Sequence, residues 1–120
     1  MRSLLLALLL FASAAHADDD WTRQDTYRQA ALTTLLVVDW AQTRYIVKNP
    51  NEQDGESNPV LGSHPSTGRV NNYFAASIAA HAAISIILPP TLRHGWQYVW
   101  IGAEVNQLAR NYRLGVRMNF

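Results

Sequence analysis

The chain has 120 residues, no cysteine and a formal net charge of +1, with ten Lys and Arg against nine Asp and Glu. It cannot be a disulfide-stapled scaffold, and its scattered charges form none of the basic stripe that nucleic-acid binding needs. A single small domain is expected, able to bury a core but with little stability to spare.

The first seventeen residues read as a leader. Met1 and Arg2 give a short positive start, Leu4 to Ala12 is apolar, and Ala15-His16-Ala17 is a small-x-small cleavage site ahead of Asp18-Asp19-Asp20. That order predicts a secretory signal peptide of bacterial type, cleaved before Asp18. The apolar run falls short of the roughly 20 residues that a spanning helix needs. With no Cys after the cleavage site, a lipoprotein is not expected.

A first helix is expected over 23–47. Thr22 and Asp25 have capping-box spacing, and Pro50 stops the helix. Leu32, Leu35, Leu36, Val37, Val38, Trp40, Ile46 and Val47 surround the axis, the pattern of a helix buried in a core or a bilayer. Asp39 and Thr43 continue the stripe of Leu32 and Leu36, so a carboxylate occupies a position where an apolar side chain is expected.

Residues 49–70 form a long polar connection punctuated by turn formers such as Asn49-Pro50, Asn58-Pro59 and Thr67-Gly68. Val60 and Leu61 are expected to pin its middle to the core. A second helix is expected over 70–88, ended by Pro89-Pro90. Ala75, Ala79 and Ala83 recur every fourth residue, spacing that lets helix backbones approach closely in membranes. Ser77, His81 and Ser85 form a polar stripe on the same helix. A third helix is expected over 91–111, with Gly95 as a possible dividing point and Glu104, Asn106 and Gln107 in its second half. The short connection predicts antiparallel neighbours.

From Tyr112 the period changes to two. Tyr112, Leu114, Val116, Met118 and Phe120 alternate with more polar residues, which predicts a strand or extended arm over 112–120. A terminal Phe behind such alternation also resembles the sorting signal of outer-membrane β-barrel proteins, although a barrel needs about eight alternating strands. The fold class expected is therefore all-α: a three-helix bundle over 18–120, with a long polar loop and a short C-terminal strand or arm.

Each helix carries one ionisable residue amid apolar neighbours: Asp39, His81 and Glu104. Isolated charges there are costly, so such groups pair, neutralise or bind an ion. Two readings follow. One is a structural polar cluster that fixes helix register, made of Asp39, Thr43, Glu56, Asn58, Ser77, His81, Ser85 and Glu104. The other is a divalent-metal site, possible as a cofactor for a small hydrolase, with Asp39, His81 and Glu104 as ligands or catalytic groups and Glu56 and His64 added from the loop. No H-E-x-x-H or G-x-S-x-G motif supports a catalytic assignment.

Asp39-x-x-x-Thr43, followed by Glu56-Ser57-Asn58-Pro59-Val60-Leu61-Gly62, resembles a pattern in small uncharacterised bacterial and phage membrane proteins. There, D-x-x-x-T on a first helix precedes an E-x-N-P turn. The resemblance covers residues 39–62 and implies a helical membrane protein, without an activity. Three helices in a chain this short also cannot hide apolar surface on every side. Lipid or further copies of the chain are expected to cover the rest, which makes the membrane and a homo-oligomer the expected partners. The leading expectation is an exported, membrane-associated protein of the cell envelope with a structural or interaction role, rather than an enzyme. The outer-membrane component and the metal-dependent hydrolase stand as alternatives.

Overall fold

The computed structural model describes residues 21–50, 60–62 and 64–120. The leader expected over 1–17 lies outside the described residues, as do Glu56 and Asn58. Three helices make up the fold: α1 (Arg23–Lys48), α2 (Thr67–Ile87) and α3 (Pro90–Arg113). This is the all-α bundle that the sequence patterning predicts, and no strand occurs among the described residues.

Local chemistry sets the helix ends. At α1 the capping box forms in both directions. The Asp25 amide donates to Thr22 Oγ1 at 3.1 Å, and the Thr22 amide donates to Asp25 Oδ2 at 2.9 Å. Each bond satisfies a donor that has no partner within the helix. At the far end Asn49 Nδ2 donates to the Tyr45 carbonyl at 2.9 Å, one residue before Pro50. The second helix begins three residues earlier than the apolar pattern predicts. Ser66 caps it, accepting from the Arg69 amide at 3.1 Å, so Thr67 and Gly68 fall inside the first turn rather than in the loop. Pro90 opens α3 at a position where its missing N–H costs nothing. The third helix then runs unbroken through Gly95.

The last helix ends later than expected, at Arg113, and the tail is an arm rather than a strand. Gly115, at φ +87°, reverses the chain in the left-handed region that favours glycine. Its amide donates to the Tyr112 carbonyl at 3.0 Å, and the Val116 amide donates to the Asn111 carbonyl at 3.0 Å. This pair of bonds is a Schellman motif. Alternation beyond it does not bury a face: Val116 is buried, while Tyr112, Leu114, Met118 and Phe120 are exposed. The arm is held to α1 by the Asn119 amide, which donates to the Ala41 carbonyl at 2.9 Å.

The first helix is the centre of the bundle. It packs extensively against α2 and α3, which touch each other much less. Two small apolar clusters form the core. Leu32 and Leu36 meet Ile78, flanked by Val37, Trp40, Trp100 and Ile101. Leu61 meets Val70 and Phe74, so of the two residues expected to pin the middle of the connection Leu61 does so, while Val60 stays exposed. Trp40 stacks on Phe74 at 6.2 Å between ring centroids.

Candidate functional site: a polar seam between the first and third helices

Six of the buried positions on α1 follow a regular order, Asp25, Gln29, Leu32, Leu36, Thr43 and Ile46, with half-buried Asp39 in the same series and buried Ala41 and Gln42 beside it. Their alternating spacing of four and three is the seam of one helix packed on another. The facing series on α3 is Arg93, Gln97, Trp100, Glu104 and Asn111. Most of these residues are polar, so the helices meet through hydrogen bonds as much as through apolar contact.

At the end of the seam, Arg93 joins all three helices. Only 1% of it is exposed. Pro89 and Pro90 carry no N–H, so the carbonyls of Ser85 and Ile86 lose the donors that a continuing helix would supply. Arg93 replaces them. Its Nε donates to the Ser85 carbonyl at 2.6 Å, and its Nη2 reaches the Leu88 carbonyl at 3.0 Å and the Ile86 carbonyl at 3.5 Å. Its Nη1 donates to Asp25 Oδ2 at 3.2 Å, and its guanidinium lies 4.8 Å from the centre of the Trp21 ring. Asp25 is also paired with Arg28, and His94 Nε2 lies 3.3 Å from its Oδ1. One layer further in, Ser85 Oγ donates to Gln29 Oε1 at 2.6 Å, and Gln97 Nε2 donates to the Asp25 carbonyl at 3.2 Å and to Gln29 Oε1 at 3.4 Å.

Burial pushes the Asp25 carboxyl up, but the Thr22 amide and hydroxyl, Arg93 and the charge of Arg28 outweigh it and hold the group below its ordinary value of 3.8. A depressed folded-state value means stability that is fully present above the unfolded value and lost as pH falls through the folded one. The thermal midpoint of the wild-type protein is therefore expected to drop as pH falls below about 4. Asp25→Asn, which has no proton to take up there, should show a flatter profile in circular dichroism melts. Equal slopes for both proteins would remove Asp25 as the cause.

Near the middle of the seam, the Asp39 carboxyl on α1 and the buried Glu104 carboxyl on α3 lie close enough to interact electrostatically. Thr43 Oγ1 donates to the Asp39 carbonyl at 2.9 Å and lies 3.4 Å from Asp39 Oδ1. Beyond them Asn111 Nδ2 donates to Gln42 Oε1 at 2.9 Å, and Gln107 Nε2 donates to Asn111 Oδ1 at 2.9 Å. Thr43 thus sits beside Asp39, and Glu104 is buried on the facing helix.

His81 occupies a different place. Its Nδ1 lies 2.7 Å from the Ser77 carbonyl, and its ring sits 5.3 Å from Trp96 and 4.7 Å from Trp100. Ser85, on the same predicted stripe, belongs to the Arg93 end. His64 is exposed. Among the described residues no group of three or more His, Asp or Glu is close enough to hold a metal ion, so the Asp39, His81 and Glu104 set does not form as a three-ligand centre.

Arg93, Gln97, Gln29, Gln42 and Asn111 escape a search for ionisable residues amid apolar runs, yet they carry the seam. Two signals point to them. The alternation of four and three emerges once polar residues are counted with apolar ones, and Pro89-Pro90 announces two carbonyls in need of a nearby donor. No protein-family model, curated protein or solved structure matches the chain.

Proposed function

We propose that this chain is an exported, membrane-embedded protein of the cell envelope with a structural or interaction role, its outer helical faces covered by lipid. The observation that carries this reading is where the exposed charges fall. Of the Asp, Glu, Lys and Arg residues in the helices, the exposed ones are Arg23, Lys48, Arg69, Arg110 and Arg113, each in a first or last turn. Between them the exposed positions are mostly small or apolar, such as Ala30, Ala31, Ala76, Ala79, Ala80, Ala83, Val99, Gly102, Ala103 and Val105, while the exposed polar ones include Gln24, Thr34, Asn72, His94 and Asn106. Exposed apolar residues alone are ordinary in soluble proteins. A band without exposed Asp, Glu, Lys or Arg runs around the three helices, with Arg23 at one end and Lys48, Arg69, Arg110 and Arg113 at the other, a pattern that fits a bilayer with its polar boundaries.

The second helix supports the same reading. Its 21 residues, at about 1.5 Å each, match a hydrocarbon core of about 30 Å. Its apolar window has a mean hydropathy of 1.3, and only 28% of that window is buried inside the fold, whereas the core helix of a soluble protein is mostly buried. The resemblance of residues 39–62 to small membrane proteins points the same way. Self-association through the bare faces belongs to this reading.

The test is fractionation of the expressed full-length protein, with the mass of the species in each fraction. A species beginning at Asp18 in membranes, resistant to carbonate washing, is expected. Recovery in the soluble periplasm would overturn the membrane half of the proposal, and a mass that retains residues 1–17 would overturn the cleaved leader. The division between inner and outer membrane reports whether the Phe120 tail acts as a sorting signal.

A further inference from the structure

We infer that the cationic end of the bundle lies on the cytoplasmic side of the membrane, with its Lys and Arg side chains against anionic lipid headgroups and the C-terminal arm in that interface. The inference rests on the membrane reading proposed above and adds an orientation and a lipid surface to it. The antiparallel run of the helices brings the end of α1, the start of α2 and the end of α3 together. Arg44 Nη1 on α1 donates to Asn71 Oδ1 on α2 at 3.1 Å, and Lys48 Nζ donates to Asn119 Oδ1 on the arm at 3.2 Å. Exposed Lys48, Arg69, Arg110, Arg113 and Arg117 therefore share one end. At the opposite end Arg23 is the one exposed Lys or Arg among the described residues, because Arg28 and Arg93 are turned onto Asp25. No Asp or Glu among the described residues is exposed.

Lys and Arg close to the ends of membrane-spanning helices favour the cytoplasmic side, and Asp and Glu weigh little in that rule. Glu52, Asp54 and Glu56 of the connection thus do not cancel the bias. The leader gives the same orientation independently. Cleavage ahead of Asp18 leaves Asp18-Asp19-Asp20 and the start of α1 outside, so the end of α1 lies inside. Passage out through α2 and back through α3 brings the chain end inside as well. There the anionic leaflet attracts cations held close to its surface. The arm suits this boundary. Gly115 turns it back along α1, where the Asn119 amide donates to the Ala41 carbonyl at 2.9 Å. Met118 and Phe120 are exposed beside the last turns of α1. Arg117 places its guanidinium 5.2 Å from the centre of the Tyr112 ring, back at the end of α3. That is the posture of a cation whose stem covers apolar surface while its head stays at the polar boundary. Exposed apolar side chains interleaved with cations fit the level where headgroups meet acyl chains.

The chain has no cysteine, so single cysteines report position without background. Gln24→Cys marks the start of α1 and Leu114→Cys the end of α3, both at exposed positions. The full-length protein carrying each is labelled in spheroplasts with a membrane-impermeant maleimide, before and after lysis, and its fraction is recorded. Both variants are expected in the inner membrane, with Gln24→Cys labelled before lysis and Leu114→Cys only after it. Labelling of Leu114→Cys before lysis in membrane-bound protein, labelling of Gln24→Cys only after lysis, or recovery with the outer membrane would overturn the orientation and leave the membrane reading standing. Recovery of both variants in the soluble periplasm would defeat the membrane reading itself, and the orientation with it. Should Leu114→Cys fail to accumulate, Tyr112→Cys repeats the measurement. The headgroup contact is read separately, in lipid discs. The wild-type protein is expected to melt at a higher temperature in phosphatidylcholine with phosphatidylglycerol added than in phosphatidylcholine alone, and Arg113→Gln combined with Arg117→Gln should shrink that difference. Equal midpoints of the wild type in the two lipids, or an undiminished difference in the double variant, would overturn the contact.

Discussion

Arg93→Met is expected to be the most damaging single substitution in the bundle. Methionine keeps much of the apolar stem and removes every donor. The Ser85 and Ile86 carbonyls then face two prolines without the Arg93 donors, and the Asp25 carboxylate loses the more deeply buried of its two guanidinium partners, keeping Arg28. Removing one member of a buried ion pair costs about 3–5 kcal/mol. In a domain of this size each 1 kcal/mol moves the midpoint by about 4–8 °C. The helical dichroism signal should therefore melt more than about 10 °C lower than in the wild type. Arg93→Lys separates charge from shape. Lysine restores the charge opposite Asp25 but cannot fork across several carbonyls, so it should recover only part of the loss. A midpoint within about 2 °C of wild type for Arg93→Met would show that the α2 carbonyls find other donors.

Ala79→Arg addresses the outer surface instead of the seam. Ala79 is exposed in the middle of the α2 face. On a helix facing water this change lies within about 0.5 kcal/mol of neutral, since arginine is a good helix former. At the centre of a membrane-spanning helix an arginine costs about 2.5–3.5 kcal/mol on insertion. The carbonate-resistant fraction is therefore expected to fall severalfold for Ala79→Arg. Asn72→Arg, near the start of the same helix and level with the cationic boundary set by Arg69, should insert like the wild type. Equal membrane recovery for all three proteins would place α2 in water.

Much of this architecture was legible from local signals, because those signals act over a few residues. Thr22 with Asp25, Pro50, and Pro89-Pro90 bound three helix ends within a residue or two. The start of α2 is hard to read because its first turn, Thr67 to Val70, contains Gly68 and little apolar pattern, while the Ser66 cap sets the boundary. The tail was harder still. Its alternation is real in the sequence, but a strand needs a partner edge, and here the helix continues to Arg113 before Gly115 turns the chain. The seam was half legible. Asp39, Thr43 and Glu104 are visible as ionisable or polar residues in apolar company, and all three lie along the seam. His81 was visible for the same reason and faces two tryptophans instead. Gln29, Gln97 and Asn111 were not visible, because an uncharged amide attracts notice only once its partner across the bundle is known.

The unequal packing around α1 bears on how the chain is assembled. Since α2 and α3 pack on α1 far more than on each other, the hairpin they form is held by itself chiefly near its turn, by Arg93 on the Ser85, Ile86 and Leu88 carbonyls and by the His81, Trp96 and Trp100 rings. Asp25 and the Trp21 ring lie outside the hairpin, so Arg93 can reach them only when the hairpin docks on the first helix. One side chain thus ties the local geometry of a turn to the docking of the whole bundle.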